Sequence, residues 1–302
     1  MKTLLKKIII SVLPYGILCL YRKIKQRNSK DTQQKIMQQK ADVFCRHFLK
    51  SKENGECYFE IAGAKLPNLY DYPNKINDLI HYVFQDTFFF PYFLNDNYDK
   101  SFADILDLYM VEGPYGYRDG NFDVSVKKGD IVMDIGAWVG DFSAYSSSKG
   151  AISYAFEPVS SIYEILQKTA ELNTNIYPVK KGLSNKVGEI SISVPLGWEV
   201  ASSVSTYRND SVNEIVSITT LDEFVKENNI PKVDFIKADI EGEERNMLRG
   251  ANWVLKNYAP KLAICTYHNL EDPQLLEKII LEANPEYKIV HLRHKLFAQV
   301  IK

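Results

Sequence analysis

Several residues with chemical potential sit where apolar, strand-forming runs stop. In "DIVMDIGAWVGDFSAY" one such run ends at Asp134, and Gly136 and Gly140 follow with three residues between them. A glycine just past a strand lets the chain turn sharply and lets a ligand approach the backbone. The dinucleotide fingerprint is G-x-G-x-x-G, which lays a pyrophosphate on a helix end. The G-x-x-x-G spacing here leaves room for a compact zwitterionic group instead, and it equally fits an ordinary strand-to-helix turn. Glu157 lies 21 residues after Gly136, at the end of "ISYAFEP". A carboxylate there can accept hydrogen bonds from both hydroxyls of a ribose, or it can simply favour the N-terminus of the next helix. Together the two features point to a nucleoside cofactor without a dinucleotide fingerprint.

A second constellation follows. "IKADIEGEE" closes another apolar run with four acids. Glu243 and Glu244 read as first-turn carboxylates of the next helix. Asp239 and Glu241 alternate across the strand end and can face a pocket. His268 ends "AICTYH", and strands lying side by side would bring it within reach of a substrate shared with Asp239. A lone histidine is also a common surface or core residue.

These residues need a frame. After residue 129 the chain alternates between strand and helix signals. "DIVMDIGA" reads as a strand, residues 141–148 as a helix and "ISYAFEP" as the second strand. Ile162, Ile165, Leu166 and Ala170 share one helical face. "IYPVKKGLS" reads as a third strand, "GEISISVPL" as an accessory strand, "LDEFVKENN" as a helix and "VDFIKADIEG" as a core strand. A helix through Met247 and Leu248 leads to the strand "PKLAICTYH". "DPQLLEKIILEA" is expected to open with Asp272 as N-cap and Pro273 at the first helical position. "YKIVHL" and "LFAQVI" close the chain as an antiparallel hairpin. Such alternation implies an α/β fold with a mostly parallel sheet covered on both faces. Ligands then bind beyond the carboxyl ends of the strands, at the topological switch point, which is where Asp134, Glu157, Asp239 and His268 fall.

The remaining chain divides by composition. Residues 1–30 hold eight of the 37 Lys and Arg and none of the 38 acids, although the whole chain carries a formal charge of −1. That balance argues against nucleic acid as a partner and suggests a basic end that meets something anionic. Within residues 1–27 the apolar stretch from Ile8 to Tyr21 is shorter than the roughly 20 residues that span a bilayer, and Pro14 and Gly16 interrupt it. Flanking basic residues fit a segment lying in the interface of an anionic leaflet; a helix packed on a partner is the alternative. Residues 28–110 form an expected α-rich extension whose aromatic part can cap the sheet. Cys19, Cys45, Cys57 and Cys265 show no paired or metal-binding spacing, as expected for reduced thiols in a cytosolic compartment.

The motifs "VMDIGAWVGDFS", "YAFEP", "KKGLSNKVGEISI", "TTLDEF", "DFIKADIEGEERNMLRGA" and "PKLAICTYH" occur in order. Together, over about residues 110–295, they resemble the FkbM family of S-adenosylmethionine-dependent methyltransferases. The resemblance implies a Rossmann-like class I methyltransferase sheet in a domain over 111–302. It also implies S-adenosylmethionine as donor and O-methylation of a hydroxyl, often on a sugar. Carried over, Asp134, Gly136 and Gly140 would line the methionine part of the donor, Glu157 would hold the ribose, and Leu183 and Ser184 would lie near the adenine. Glu112 and Tyr115 in "EGPYG", with Tyr267 beside His268, would contact substrate. One position departs: Trp138 stands where the family commonly has a small polar residue, so it either packs beside the methionine arm or fills that space.

A hydroxyl acceptor must lose its proton as the new bond forms. Either His268 or Asp239 is the general base, or Asp239, Glu241 and His268 hold a divalent cation that lowers the hydroxyl's pKa, with Mg²⁺ or Mn²⁺ suited to oxygen-rich ligands. The basic end and the sugar-methylating family point to a bacterial surface or lipid-linked glycan as acceptor. The enzyme would work in the cytoplasm, at the inner face of the cell membrane. The competing expectations are an inactive membrane-tethered binding module and a nicotinamide-dependent oxidoreductase.

Overall fold

The computed structural model describes residues 49–61, 63–68, 115–195, 211–269, 271–292 and 294–301. Residues 1–27, most of 28–110 and Glu112 lie outside the described residues. Among the described residues no helix is long and apolar enough to cross a membrane.

The central element is a seven-stranded sheet. Its strands are β6 (Ile131–Ile135), β7 (Ile152–Phe156), β8 (Ile176–Val179), β12 (Phe235–Ala238), β13 (Lys261–Cys265), β14 (Tyr287–Leu292) and β15 (Lys295–Val300), in the order β14-β15-β13-β12-β6-β7-β8. Neighbours from β13 to β8 run parallel, whereas β15 is antiparallel to β13 and β14. The expected closing hairpin is therefore present. The chain passes from β6 outward through β7 to β8, then returns to β12 on the other side of β6. The switch point lies between β6 and β12.

Central strands buried on both faces are expected to be continuously apolar, and β6 and β12 are buried at every position. Each nevertheless carries one charge. Asp134 of β6 and Lys237 of β12 are register partners, with Nζ 3.2 Å from Asp134 Oδ1. The pair neutralises two groups that neither strand could bury alone. Removing one partner of such a pair costs roughly 3–5 kcal/mol, because the other charge stays buried.

Helices α1 (Asp141–Ser148), α2 (Ser160–Leu172), α3 (Leu221–Glu227), α4 (Glu244–Arg249), α5 (Asn252–Asn257) and α6 (Asp272–Ala283) supply the covering layers. The α2 face consists of Ile162, Ile165, Leu166 and Thr169; Thr169 takes the buried place expected for Ala170. Thr220 caps α3 by accepting from the Glu223 amide at 3.1 Å, the T-x-x-E arrangement of a capping box. At α6 the N-cap is Glu271 and not Asp272. Asp272 sits one residue further in, fully buried, where it accepts from Asn269 N at 3.0 Å and pairs with Arg245 Nε at 2.6 Å. These long-range partners decide its position over local capping.

Smaller sheets flank this frame. "IYPVKKGLS" divides into β8 and the two-residue β9 (Gly182–Leu183), which joins β10 (Gly188–Pro195) and β11 (Ser211–Thr219) in a separate sheet of order β10-β11-β9. Tyr117–Asp119 (β4) and Phe122–Val124 (β5) form a hairpin beneath the site. Where a helix-rich extension was expected, the described part is β. Leu49–Ser51 (β1), Cys57–Ile61 (β2) and Ala64–Pro67 (β3) form an antiparallel meander. It is tied to the end of α2 by Lys65 N donating to Asn173 Oδ1 at 3.0 Å. Cys57 and Cys265 are free thiols.

Candidate active site

Register places three candidate residues in one row. Ile135 pairs with Phe156 on one side and with Ala238 on the other, so Gly136, Glu157 and Asp239 leave three adjacent strands together at the switch point. Gly136 has φ of 71°, and a Cβ there would lie 2.0 Å from the Asp239 carbonyl oxygen. Its role is thus close passage of two backbones as well as the turn. Gly140, with φ of 86°, is pressed against α2, where a Cβ would meet Leu166 Cδ1 at 2.6 Å. It shapes the loop from behind.

Beyond this row lies a cavity lined by Gly136, Trp138, Glu157, Leu183, Ser184 and Asp239, with an apolar wall from the accessory sheet. Four of the six expected donor-side residues, Gly136, Glu157, Leu183 and Ser184, line it, while Gly140 stands against α2; Asp134 is fully buried, held by Lys237 and by Ser143 Oγ at 2.6 Å. Glu157 accepts from Trp138 N at 3.2 Å and Val159 N at 2.9 Å. Burial pushes its carboxyl up to about 7, against the opposing pull of those amides and of Lys237. Ser184 Oγ donates to Glu243 Oε2 at 3.1 Å, and Glu243 also lines the cavity. Trp138, at φ of 49°, packs against a cluster of Val159, Ile162, Ile192 and Val216. Its ring is accommodated by the accessory sheet, and the cavity persists beside it.

The second cluster forms around Asp239, whose side chain is 17% exposed. Tyr115 donates to Oδ2 at 2.8 Å and Tyr267 to Oδ1 at 3.0 Å. Burial alone would raise the Asp239 carboxyl, but Lys237, His268 and Lys295, with the Tyr115 hydroxyl, hold it below its ordinary value. The Tyr115 ring lies between the two lysines, 5.2 Å from Lys237 Nζ and 4.1 Å from Lys295 Nζ.

His268, in the loop after β13, is 7% exposed. Its Nε2 is 3.5 Å from Asp239 Oδ1 and 3.6 Å from Glu241 Oε2, and its Nδ1 is 3.0 Å from Glu244 Oε1. The Nδ1 contact with Glu244 lies at hydrogen-bonding distance, and the two longer Nε2 contacts are charge–charge contacts. Burial would lower the imidazole pKa; Glu244, then Asp239 and Glu241, outweigh it and raise it to about 9.

Asp239, Glu241 and His268 are therefore brought together as expected, with Tyr115 and Tyr267 on the same carboxylate. Glu244 stands in the first turn of α4, as expected. It is also fully buried, and among the described residues it takes the place of Glu241 in the trio close enough to share a cation, Asp239, Glu244 and His268. A divalent ion there would have to displace a proton that three carboxylates hold on the ring. Sequence reading also passed over Lys237, although a lysine within the apolar run "DFIKA" was a visible signal.

Comparisons with known proteins identify the family. The methyltransferase FkbM domain family matches residues 130–296, more than half the chain. The hexuronic acid methyltransferase AglP of Haloferax volcanii is 27% identical over 165 residues, covering 54% of this chain and 66% of AglP. A crystal structure of an FkbM methyltransferase from Methylobacillus flagellatus is similar at TM-score 0.47 and 19% identity, covering 76% of this chain and 62% of that one. Aeropyrum pernix fibrillarin with bound S-adenosylmethionine is similar at TM-score 0.37 and 16% identity, covering 58% and 68%. The chain thus spans just under two thirds of the first two relatives.

Proposed function

This chain belongs to the methyltransferase FkbM domain family, and on that premise we propose that it is an S-adenosylmethionine-dependent O-methyltransferase acting on a sugar hydroxyl. The observation that carries this reading is the row of Gly136, Glu157 and Asp239 at the mouth of one cavity. S-adenosylmethionine supplies a methyl group activated by its sulfonium. Gly136 would lie along its methionine part, Glu157 would accept from the ribose, and Leu183 and Ser184 would border the adenine. Much of the rate of such an in-line displacement comes from holding the nucleophile in near-attack geometry.

Of the two candidate bases, Asp239 is the one available. His268 is held as imidazolium at neutral pH, whereas Asp239 is ionised and borders the cavity. A carboxylate with a lowered pKa is a weak base. As the acceptor oxygen gains its new bond it becomes acidic, and Asp239 can then take its proton. Tyr115 and Tyr267 fix the carboxylate by donating to separate oxygens.

The relative that acts on hexuronic acid supports a sugar acceptor. The basic residues of 1–27 support a glycan at the inner membrane face, surface-bound or lipid-linked. Calorimetry with S-adenosylhomocysteine is expected to show micromolar or tighter binding. Labelled methyl is expected to reach the glycan fraction of intact cells and to be missing from that of cells lacking this protein. Absence of S-adenosylhomocysteine binding would defeat the reading in favour of an inactive module, and binding of NADH instead would favour an oxidoreductase. Deleting residues 1–27 should release the protein from membranes, and a truncated form that still pellets with them would refute the anchor.

A further inference from the structure

Glu244 has no part in the chemistry above, yet it is fully enclosed, as Asp134 and Asp272 are. Its Oε1 accepts from Ile240 N at 2.9 Å and its Oε2 from Gly242 N at 3.1 Å. Between those amides the chain turns through two left-handed residues, Glu241 at φ of 54° and Gly242 at 104°. L side chains rarely adopt such a conformation, and it persists where surrounding contacts over-determine it. The same Oε1 lies 3.0 Å from His268 Nδ1. One buried carboxylate therefore touches both loops that make the acceptor end: the turn after β12 that carries Asp239 and Glu241, and the loop after β13 that carries His268. The second loop is held from its far side by Asp272, which accepts from Asn269 and pairs with Arg245, the residue next to Glu244.

We propose that Glu244 is a positioning residue that locks the turn of Asp239 and Glu241 and orients the His268 ring so that Nε2 faces both acids. This rests on the methyltransferase reading for its functional consequence. The geometry itself stands apart from that reading, because the contacts join protein groups only.

The test uses the full chain with Glu244→Gln and Glu244→Asp. Calorimetry with S-adenosylhomocysteine reads the donor end, and ¹⁵N-edited spectra read the His268 ring, assigned with His268→Gln. The expected result is donor affinity changed by less than about tenfold, with His268 ring signals that shift and broaden as the ring samples other orientations. Methyl transfer to the glycan fraction should fall roughly 10²-fold, the scale of a misplacement of about 1 Å. In a His268→Gln background the Glu244→Gln change should cost little more, since coupled residues are non-additive. His268 signals that overlay on those of the unaltered protein would overturn the proposal, as would additive losses. If neither variant yields folded protein that binds S-adenosylhomocysteine, Glu244 is structural only and the proposal also fails. Failure of the unaltered protein to bind S-adenosylhomocysteine would defeat the methyltransferase reading instead, while the ring signals would still decide the role of Glu244.

Discussion

The proposed donor end and acceptor end of this site are built by different means. At the donor end the shape comes mostly from backbone: two glycine turns, the register row at the switch point, and an apolar wall from β10 and β11. It uses one principal carboxylate, Glu157, held by two amides and by no salt bridge. The acceptor end is built from charges. Asp239, Glu241, Glu244, His268, Lys237 and Lys295 meet from β12, from the loop after β13 and from β15, with two tyrosine hydroxyls between them. A backbone-shaped site tolerates variation in side chains but not in chain path. A charge cluster tolerates neither loss nor exchange of a member, since each group offsets the burial of another.

The largest expected effect breaks the chain path. Gly136→Ala places a Cβ 2.0 Å from the Asp239 carbonyl, so a central strand must move. Donor affinity should be lost and stability should fall by roughly 4 kcal/mol or more, the range associated with forced overpacking and backbone strain. Unchanged urea unfolding and unchanged S-adenosylhomocysteine binding would show that the two ends do not share this contact. Asp239→Asn should act on the acceptor end alone. Turnover is expected to fall roughly 10²–10⁴-fold, as for loss of a general base, with donor affinity little altered. Parallel loss of both would merge the two ends into one.

Glu157→Gln is expected to have a smaller effect, confined to the donor end. Hydrogen bonds to a charged group contribute about 1.5–3 kcal/mol, so S-adenosylhomocysteine should bind about 10- to 100-fold more weakly. Stability should respond in the opposite sense. In the folded chain this carboxyl keeps its proton up to about 7, compared with an ordinary value of 4.5. The unfolded chain releases that proton first, so folding stability declines as pH rises from 4.5 through about 7. The decline amounts to a few kcal/mol, at ~1.4 kcal/mol per pKa unit. Urea midpoints measured at pH 5 and pH 8 should show this slope in the unaltered chain and a flatter one in Glu157→Gln. The smallest effect should come from chelation. With His268 already serving as the cation among the acids, EDTA should leave turnover unchanged. A loss restored by Mn²⁺ would place an ion on Asp239, Glu244 and His268.

Local pattern exposed the donor end because its signals are local. A strand, a G-x-x-x-G turn and an acid at the end of the next strand can be read by counting residues, and Gly136, Glu157, Leu183 and Ser184 all border the cavity. The same counting placed Asp239 and His268 on neighbouring strands. It placed Glu244 in the first turn of a helix, where a carboxylate has an ordinary electrostatic explanation, but nothing in the neighbouring residues shows that it is enclosed. It missed β11, whose inward Val216 and Ile218 alternate with the exposed Ile215 and Ser217, and it ran β8 and β9 together across Lys180 and Lys181. The neighbours of Trp138 are not local: it packs on a cluster that includes Ile192 and Val216, more than 50 residues away along the chain.

What the sequence determined alone was periodicity and punctuation: the α/β alternation, the parallel sheet and the residues that must emerge at its carboxyl edge. These follow from interactions between residues a few positions apart. Only the tertiary structure decided which charges meet. Asp134 finds Lys237 across the strand register, Asp239 draws hydroxyls from residues 124 positions before it and 28 after it, and Glu244 lies against His268. A carboxylate's ionisation, and with it the proposal of Asp239 over His268 as base, depends on which distant groups share its enclosure, a property of the folded chain in space.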